Sequence, residues 1–337
     1  MQLQLYMAAH ASGTANAARR EKGEKLVDRM ISIADSAETQ CVWVYTQCAI
    51  FWNETGHNAR ALPLFERALR LKEAQLGERS PQVIGGLCNL ATAYKQNDDY
   101  VKAEQMYVRA LTLQEEAFGE NSRYTGVLLN NLANLYSDQE HFDKAEPLYE
   151  RALKVRKLVL GKRSPEVAKT LLNMGNMYSS QGKYSKAEQM YSKALKLREE
   201  VLGEKDPDTM TALSALASLY SENEHYTKAE PLFERLLKLQ ETSLGPDHPD
   251  LIETLQDLGN VFEQQKEFEK ALPYYLRALR LEEADKGVDH TDIATACNNL
   301  GTLYVQLDQP ETAIELFERA LKIWSQSLPA DHPDIIM

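Results

Sequence analysis

An internal period of 42 residues constrains this chain more than any other feature. Stepping by 42 from Tyr136 in either direction meets an aromatic residue every time: Trp52, Tyr94, Tyr136, Tyr178, Tyr220, Phe262 and Tyr304. Two more columns keep the same register without a gap. The first is Ala61, Ala103, Ala145, Ala187, Ala229, Ala271 and Ala313, and the second is Phe65, Tyr107, Tyr149, Tyr191, Phe233, Tyr275 and Phe317. A length of 337 residues would by itself suggest two globular domains. A fixed period instead makes length a count of units in one elongated array.

Each period holds two amphipathic helices. Ser164 is a good N-cap, Pro165 a good first helical residue, and Glu166 suits the positive end of the helix dipole; Asp206-Pro207-Asp208 repeats that pattern. Helix A then carries Leu171, Met174, Gly175 and Tyr178 on one face and is expected to stop at Gly182. Helix B is expected from about Tyr184 to Gly203, with Ala187, Tyr191, Ala194, Leu195 and Leu202 facing inward. Ala or Gly at 133, 175, 217 and 259 lets neighbouring helix axes approach closely. The abundant Glu and Lys of helix B read as exposed i,i+4 partners.

These columns resemble the tetratricopeptide repeat, a helix-turn-helix unit of about 34 residues. The longer period is similar to the repeats of kinesin light chains and nephrocystin-3-type proteins. Asn130-Asn131-Leu132-Ala133, Lys144-Ala145-Glu146 and Leu244-Gly245-Pro246-Asp247-His248-Pro249 carry that resemblance. It implies an all-α fold, a right-handed superhelical α-solenoid of seven repeats at 38–79, 80–121, 122–163, 164–205, 206–247, 248–289 and 290–331. Residues 1–25 read as a tail and 26–37 as a capping or degenerate-repeat helix. Residues 332–337 read as the start of an eighth helix, expected to continue in a longer protein or to be covered by a partner. The long N-terminal heptad stretch of a kinesin light chain is not found, which argues against a motor subunit.

Composition excludes several function classes. Residues 1–206 hold 28 Lys+Arg against 26 Asp+Glu, whereas 207–337 hold 10 against 24. An acidic second half argues against nucleic acid, whose phosphates require Lys and Arg. No run of 18 apolar residues suggests membrane insertion, and Met1–Met7 lacks the marks of a secretory leader. Cys48 takes the place that Leu90, Leu132 and Leu258 have in other repeats, and Cys297 that of Leu129 and Leu255, so they read as core residues of a chain in a reducing, cytoplasmic setting, in association with the cytoskeleton or a cilium if the resemblance extends that far. His57, His141 and His225 recur in the A–B turn, and His248, His290 and His332 in the connector before helix A. That recurrence reads as turn and helix-start chemistry; no metal, cofactor or catalytic motif is expected, and the chain is read as a non-enzyme.

The resemblance puts helix A on a concave face, so its polar residues outside the core stripe become the candidates for a peptide-binding groove. One column holds Asn89, Asn131, Asn173 and Asn299, and a second holds Asn134, Asn176 and Asn260. Asn is a mediocre helix former, and a carboxamide both donates to and accepts from a peptide group. Helices roughly 10 Å apart would present one such group about every three residues of an extended peptide. Asn131 and Asn134 are expected to stand outside the packing. Trp43, Gly85 and Val127 suggest an apolar pocket or, equally, a locally weak helix with Trp43 packed under the cap; Lys169 suggests a contact for an acidic residue, and Glu253 with Asp257 an acidic patch for a basic one. The expected partner is a protein or peptide, a cargo or an assembly subunit, bound by a scaffold or adaptor. The alternative is an architectural or regulatory arm touching folded partners through helix B and the array ends.

Overall fold

The computed structural model describes residues 17–36 and 41–327, the side chains of 17–20 excepted. The chain divides into two compact units, Met1–Lys162 and Arg163–Met337. In the first unit α1 (Ala17–Ser36) packs on α2 (Val42–Glu54), which pairs with α3 (Asn58–Leu76). A 3-10 turn at Pro81–Val83 leads into α4 (Ile84–Gln96), paired with α5 (Tyr100–Phe118), and α6 (Arg123–Asp138) pairs with α7 (Phe142–Leu160).

In the second unit α8 (Pro165–Ser180) pairs with α9 (Tyr184–Leu202), and α10 (Pro207–Glu222) with α11 (Tyr226–Leu244). After a 3-10 turn at Pro249–Leu251, α12 (Ile252–Gln264) pairs with α13 (Phe268–Lys286), and α14 (Thr291–Gln306) with α15 (Pro310–Ser327). No strand occurs among the described residues. The A helices end at 54, 96, 138, 180, 222, 264 and 306, so the 42-residue period of the sequence is the period of the hairpins. The first helix begins at Ala17 rather than at Leu26, inside the stretch read as a tail. Residues 1–16 and the expected eighth helix at 332–337 lie outside the described residues.

The recurring residues each have a physical task. A Cβ on Gly175 would stand 2.4 Å from the Tyr191 ring, and Cβ atoms on Gly259 and Gly301 would stand 2.6 Å from the Tyr275 and Phe317 rings. The helix B aromatic thus rests directly on helix A backbone. Ala145, Ala187 and Ala229 are fully buried at the other close approach. The residues flanking that alanine work in opposite directions. Lys102, Lys144, Lys186 and Lys228 lie over the helix A rings of their own repeats at about 5 Å, where a cation is attracted to the ring face. Glu104 and Glu188 accept hydrogen bonds from Tyr136 and Tyr220 of the next repeat, at 2.7 Å each. Lys-Ala-Glu therefore ties one hairpin to its own ring and to its successor's.

The A–B turn has a second regularity. Gly56, Asp98, Glu140, Gly182, Glu224, Lys266 and Asp308 all have positive φ, between 57° and 79°, and only two are glycine. The next residue's N–H reaches back to the carbonyl of the helix A aromatic, as in His141 N to Tyr136 O at 2.8 Å and His225 N to Tyr220 O at 2.8 Å. This is the Schellman arrangement, and His57, His141 and His225 stand at its last position, where other repeats have Asp99, Lys183, Glu267 and Gln309. His57, for example, rests edge-on against Trp52.

The charges of helix B do not mainly pair at i,i+4. A pair of that kind occurs on α13 at Lys286–Glu282, and another outside the B helices, on α1, at Lys25–Glu21. The repeated ones instead join successive B helices across 36 residues. In the first unit these are Arg109–Glu73 at 2.6 Å and Arg151–Glu115 at 2.7 Å, and in the second Arg235–Glu199 at 2.7 Å, Arg277–Glu241 at 2.5 Å and Arg319–Glu283 at 2.5 Å. The expectation overlooked that a stacked array places equivalent residues of consecutive B helices side by side.

Candidate peptide-binding faces

The core stripe of each A helix is consumed by packing, so chemistry is left to the columns beside it. In the first unit, α4, the end of α5 and α6 enclose a cavity of about 600 Å3. Gly85, Asn89, Val127 and Asn131 line it together, joined by Ile84, Cys88, Phe118 and Tyr124. The two adjacent glycines differ in purpose. A Cβ at Gly85 meets nothing within 4 Å, so its absence widens the cavity, whereas one at Gly86 would press on Leu69 at 3.2 Å. Trp43 is not part of this lining; it sits on α2, 58% exposed. The apolar grouping therefore joins Gly85 and Val127 without Trp43.

Asn89 and Asn131 are half-buried, and neither carboxamide has a hydrogen-bond partner among the described residues. Burial pushes the Cys88 thiol up to about 11, so it stays protonated at neutral pH and adds to the apolar wall.

The second asparagine column differs from the first. Asn134 Oδ1 accepts from the Tyr149 hydroxyl at 2.6 Å, and Asn176 Oδ1 from the Tyr191 hydroxyl at 2.8 Å. In the preceding repeat Thr92 meets Tyr107 in the same way at 2.8 Å. The expectation that Asn134 stands outside the packing is thus corrected. The helix B tyrosine needs an acceptor for its buried hydroxyl, and the helix A residue supplies it.

In the second unit Lys169 is exposed on α8 and Asn173 is half-buried one turn later. Asn260, Asn299 and Asp257 line a cavity of about 550 Å3 between α12, α13 and α14, together with Gln256, Glu263 and Thr295. Burial, and then the neighbouring charges of Glu253 and Glu222, push the Asp257 carboxyl up to about 6. Glu253 itself is exposed and outside the lining.

The connector histidines are helix starters. His248 Nδ1 accepts from Asp250 N and His290 Nδ1 from Asp292 N, at 3.2 Å each; His332 lies outside the described residues. Among the described residues no group of three or more His, Cys, Asp or Glu side chains is placed to hold a metal, and no helix is long and apolar enough to cross a membrane.

Paired helices at this spacing, with a ring seated on a small residue, match the family profile described as tetratricopeptide repeat over residues 38–116, 82–158, 124–200, 166–242, 208–284 and 264–326. The chain belongs to the tetratricopeptide repeat family. Among solved structures, BtubC (BKLC) from P. vanneervenii is 26% identical over 68% of this chain and 92% of that one, with a TM-score of 0.61. A kinesin light chain-type protein of nearly identical TPR-like repeats from Podosopora anserina is 18% identical over 59% of this chain and 94% of that one, with a TM-score of 0.53. The apo quorum sensor NprR from B. thuringiensis is 17% identical over 96% of this chain and 86% of that one, with a TM-score of 0.61. The last two share the fold. No curated protein sequence matches.

Two features of these tetratricopeptide repeats escape a column-by-column reading of helix A. Phe118 and Tyr124, 60% and 68% exposed, rim the first cavity but belong to helix B and to a helix start. Their signal is departure from register. Phe118 replaces the Leu of positions 76, 160, 202 and 244, and Tyr124 replaces Gln82, Glu166, Asp208, Asp250 and Asp292. The other feature is a buried polar column on helix B. Gln114 donates to Ser122 Oγ at 3.0 Å, and Arg198 donates to the Asp208 carbonyl. Each secures the connector that follows it.

Proposed function

We propose that this chain is a non-catalytic adaptor that binds an extended protein segment, a cargo or an assembly subunit, along the A-helix faces of its tetratricopeptide repeats. The observation that carries this reading is the α4–α5–α6 cavity, an apolar hollow beside two carboxamides with no hydrogen-bond partner among the described residues. An apolar anchor residue of the ligand enters the hollow, and Asn89 and Asn131 pair with the peptide groups flanking it. Asn134, Asn173, Asn176, Asn260 and Asn299 are the further A-helix asparagines that the segment would pass, and Lys169 offers it a cation.

The architectural reading through helix B has less support, because its recurring Glu and Arg columns are already paired with one another. The adaptor reading places the chain in a reducing, cytoplasmic setting, with which four free cysteines are compatible. The test is a random-peptide display selection on the full chain, followed by affinity measurement of the selected peptides. Selected sequences are expected to share a bulky apolar residue and to bind Asn89→Ala/Asn131→Ala at least tenfold more weakly, the scale of lost hydrogen bonds at a desolvated site. Unchanged affinity for the double variant would refute the reading.

A further inference from the structure

The cavity of the second unit has a chemistry the first lacks. Its wall carries Asp257, Asn260, Glu263 and Asn299 but no Lys, Arg or His, and its volume of about 550 Å3 is that of a ligand pocket. Other carboxylates of the unit have cations built in: Glu199 has Arg235, Glu241 has Arg277 and Glu283 has Arg319. By contrast, Glu222, Glu253, Asp257 and Glu263 have no ion-pair partner among the described residues. Glu263 only accepts a hydrogen bond from Tyr275, at 2.8 Å. A concave, half-dry site that concentrates negative charge and supplies no counter-ion is complementary to a cation brought from outside, and the raised Asp257 carboxyl is the strain such a cation would relieve.

We propose that the α12–α13–α14 cavity receives an Arg or Lys side chain of the bound segment, with Asp257 and Glu263 as counter-ions and the carboxamides of Asn260 and Asn299 holding adjoining peptide groups. This rests on the reading of the A-helix faces as peptide-binding, but it assigns a separate subsite with the opposite chemistry to the apolar hollow of the first unit.

The probe is a fluorescein-labelled nonapeptide of Gly and Ser with a central Arg-Gly-Arg, compared with its citrulline counterpart by anisotropy on the full chain. The Arg peptide is expected to bind at least about tenfold more tightly than the citrulline peptide, as charge-assisted pairing requires. Asp257→Asn should remove most of that difference, and Asn299→Asp should tighten the Arg peptide, a gain that no loss of folding can imitate. Glu318→Gln, on the exposed face of α15, should leave it unchanged. Equal binding of the two peptides, or a loss in Glu318→Gln as large as in Asp257→Asn, would overturn the proposal. If apolar peptides still bind the first unit while the Arg peptide does not bind, only this subsite fails. If neither class binds, the adaptor reading fails with it.

Discussion

Gly85→Leu separates stability from binding, because the two should move in opposite directions. Glycine inside a helix costs about 0.8–1 kcal/mol relative to the best helix formers, and Leu is close to the best. A Cβ at position 85 meets nothing within 4 Å, so no clash offsets that gain. The variant should therefore be more stable by about 0.5–1 kcal/mol, which for a unit of this size raises Tm by roughly 1–4 °C. The same side chain would occupy the floor of the 600 Å3 cavity and displace the apolar anchor of the proposed ligand. Full burial of one aliphatic or aromatic side chain contributes about 1.5–3 kcal/mol, so affinity should fall by about 10- to 150-fold. Circular-dichroism melting and anisotropy with a selected peptide measure the two effects on one preparation. A variant that melts lower would show that position 85 is not open to a side chain, and one that binds as tightly as the parent would show that the hollow is not where the ligand anchors.

Asp257 makes stability depend on pH with a defined sign. Its folded-state pKa of about 6 lies above the unfolded value, so its contribution is fully present in acid and is lost as pH rises through about 6. Asp257→Asn should accordingly gain stability over the parent at pH 7.5 but not at pH 4, as read by urea unfolding. At the A–B turn, Glu224→Gly should stabilise by about 0.5–1 kcal/mol and Gly182→Ala destabilise by about 1 kcal/mol, since both positions hold φ above +59°; similar shifts in chemical denaturation would contradict the assignment. A double-mutant cycle on Glu73 and Arg109 should give a coupling of about 0.3–1 kcal/mol that shrinks in 0.5 M NaCl, because the pair is only partly shielded from water.

The hairpins were legible because the repeat writes the same packing problem seven times. Tyr191 on Gly175 recurs as Tyr275 on Gly259, and a register that survives so many copies leaves little else for the chain to do. The helix starts at Ser164 and Asp206 were equally readable, since their side chains cap by local chemistry alone, Ser164 to Val167 N at 3.2 Å and Asp206 to Asp208 N at 2.9 Å. What escaped was whatever depends on two columns at once. Asn134 cannot be assigned from its own column; its acceptor belongs to Tyr149, 15 residues on. Charge pairing escaped for the same reason, since Glu73 and Arg109 meet only once two hairpins are stacked.

The candidate sites obey a complementary logic. A residue that satisfies the consensus is committed to neighbours that recur with it, so a consensus residue is poorly free to bind anything else. Binding chemistry should then gather where several columns depart from consensus in the same neighbourhood, and the first cavity meets that condition. Gly85 stands where the next repeats have Val127 and Lys169, Phe118 where most have Leu, and Tyr124 where most have an acid or an amide. No one of these changes helps the stack: the glycine weakens a helix, and the two rings are left more than half exposed. Their coincidence around one hollow makes sense if stability was given up there for contact with another molecule. Restoring consensus at the site, by Phe118→Leu together with Tyr124→Glu, should therefore leave the fold intact while weakening an apolar-anchored peptide. A variant whose melting falls with its binding would show instead that the two rings belong to the stack.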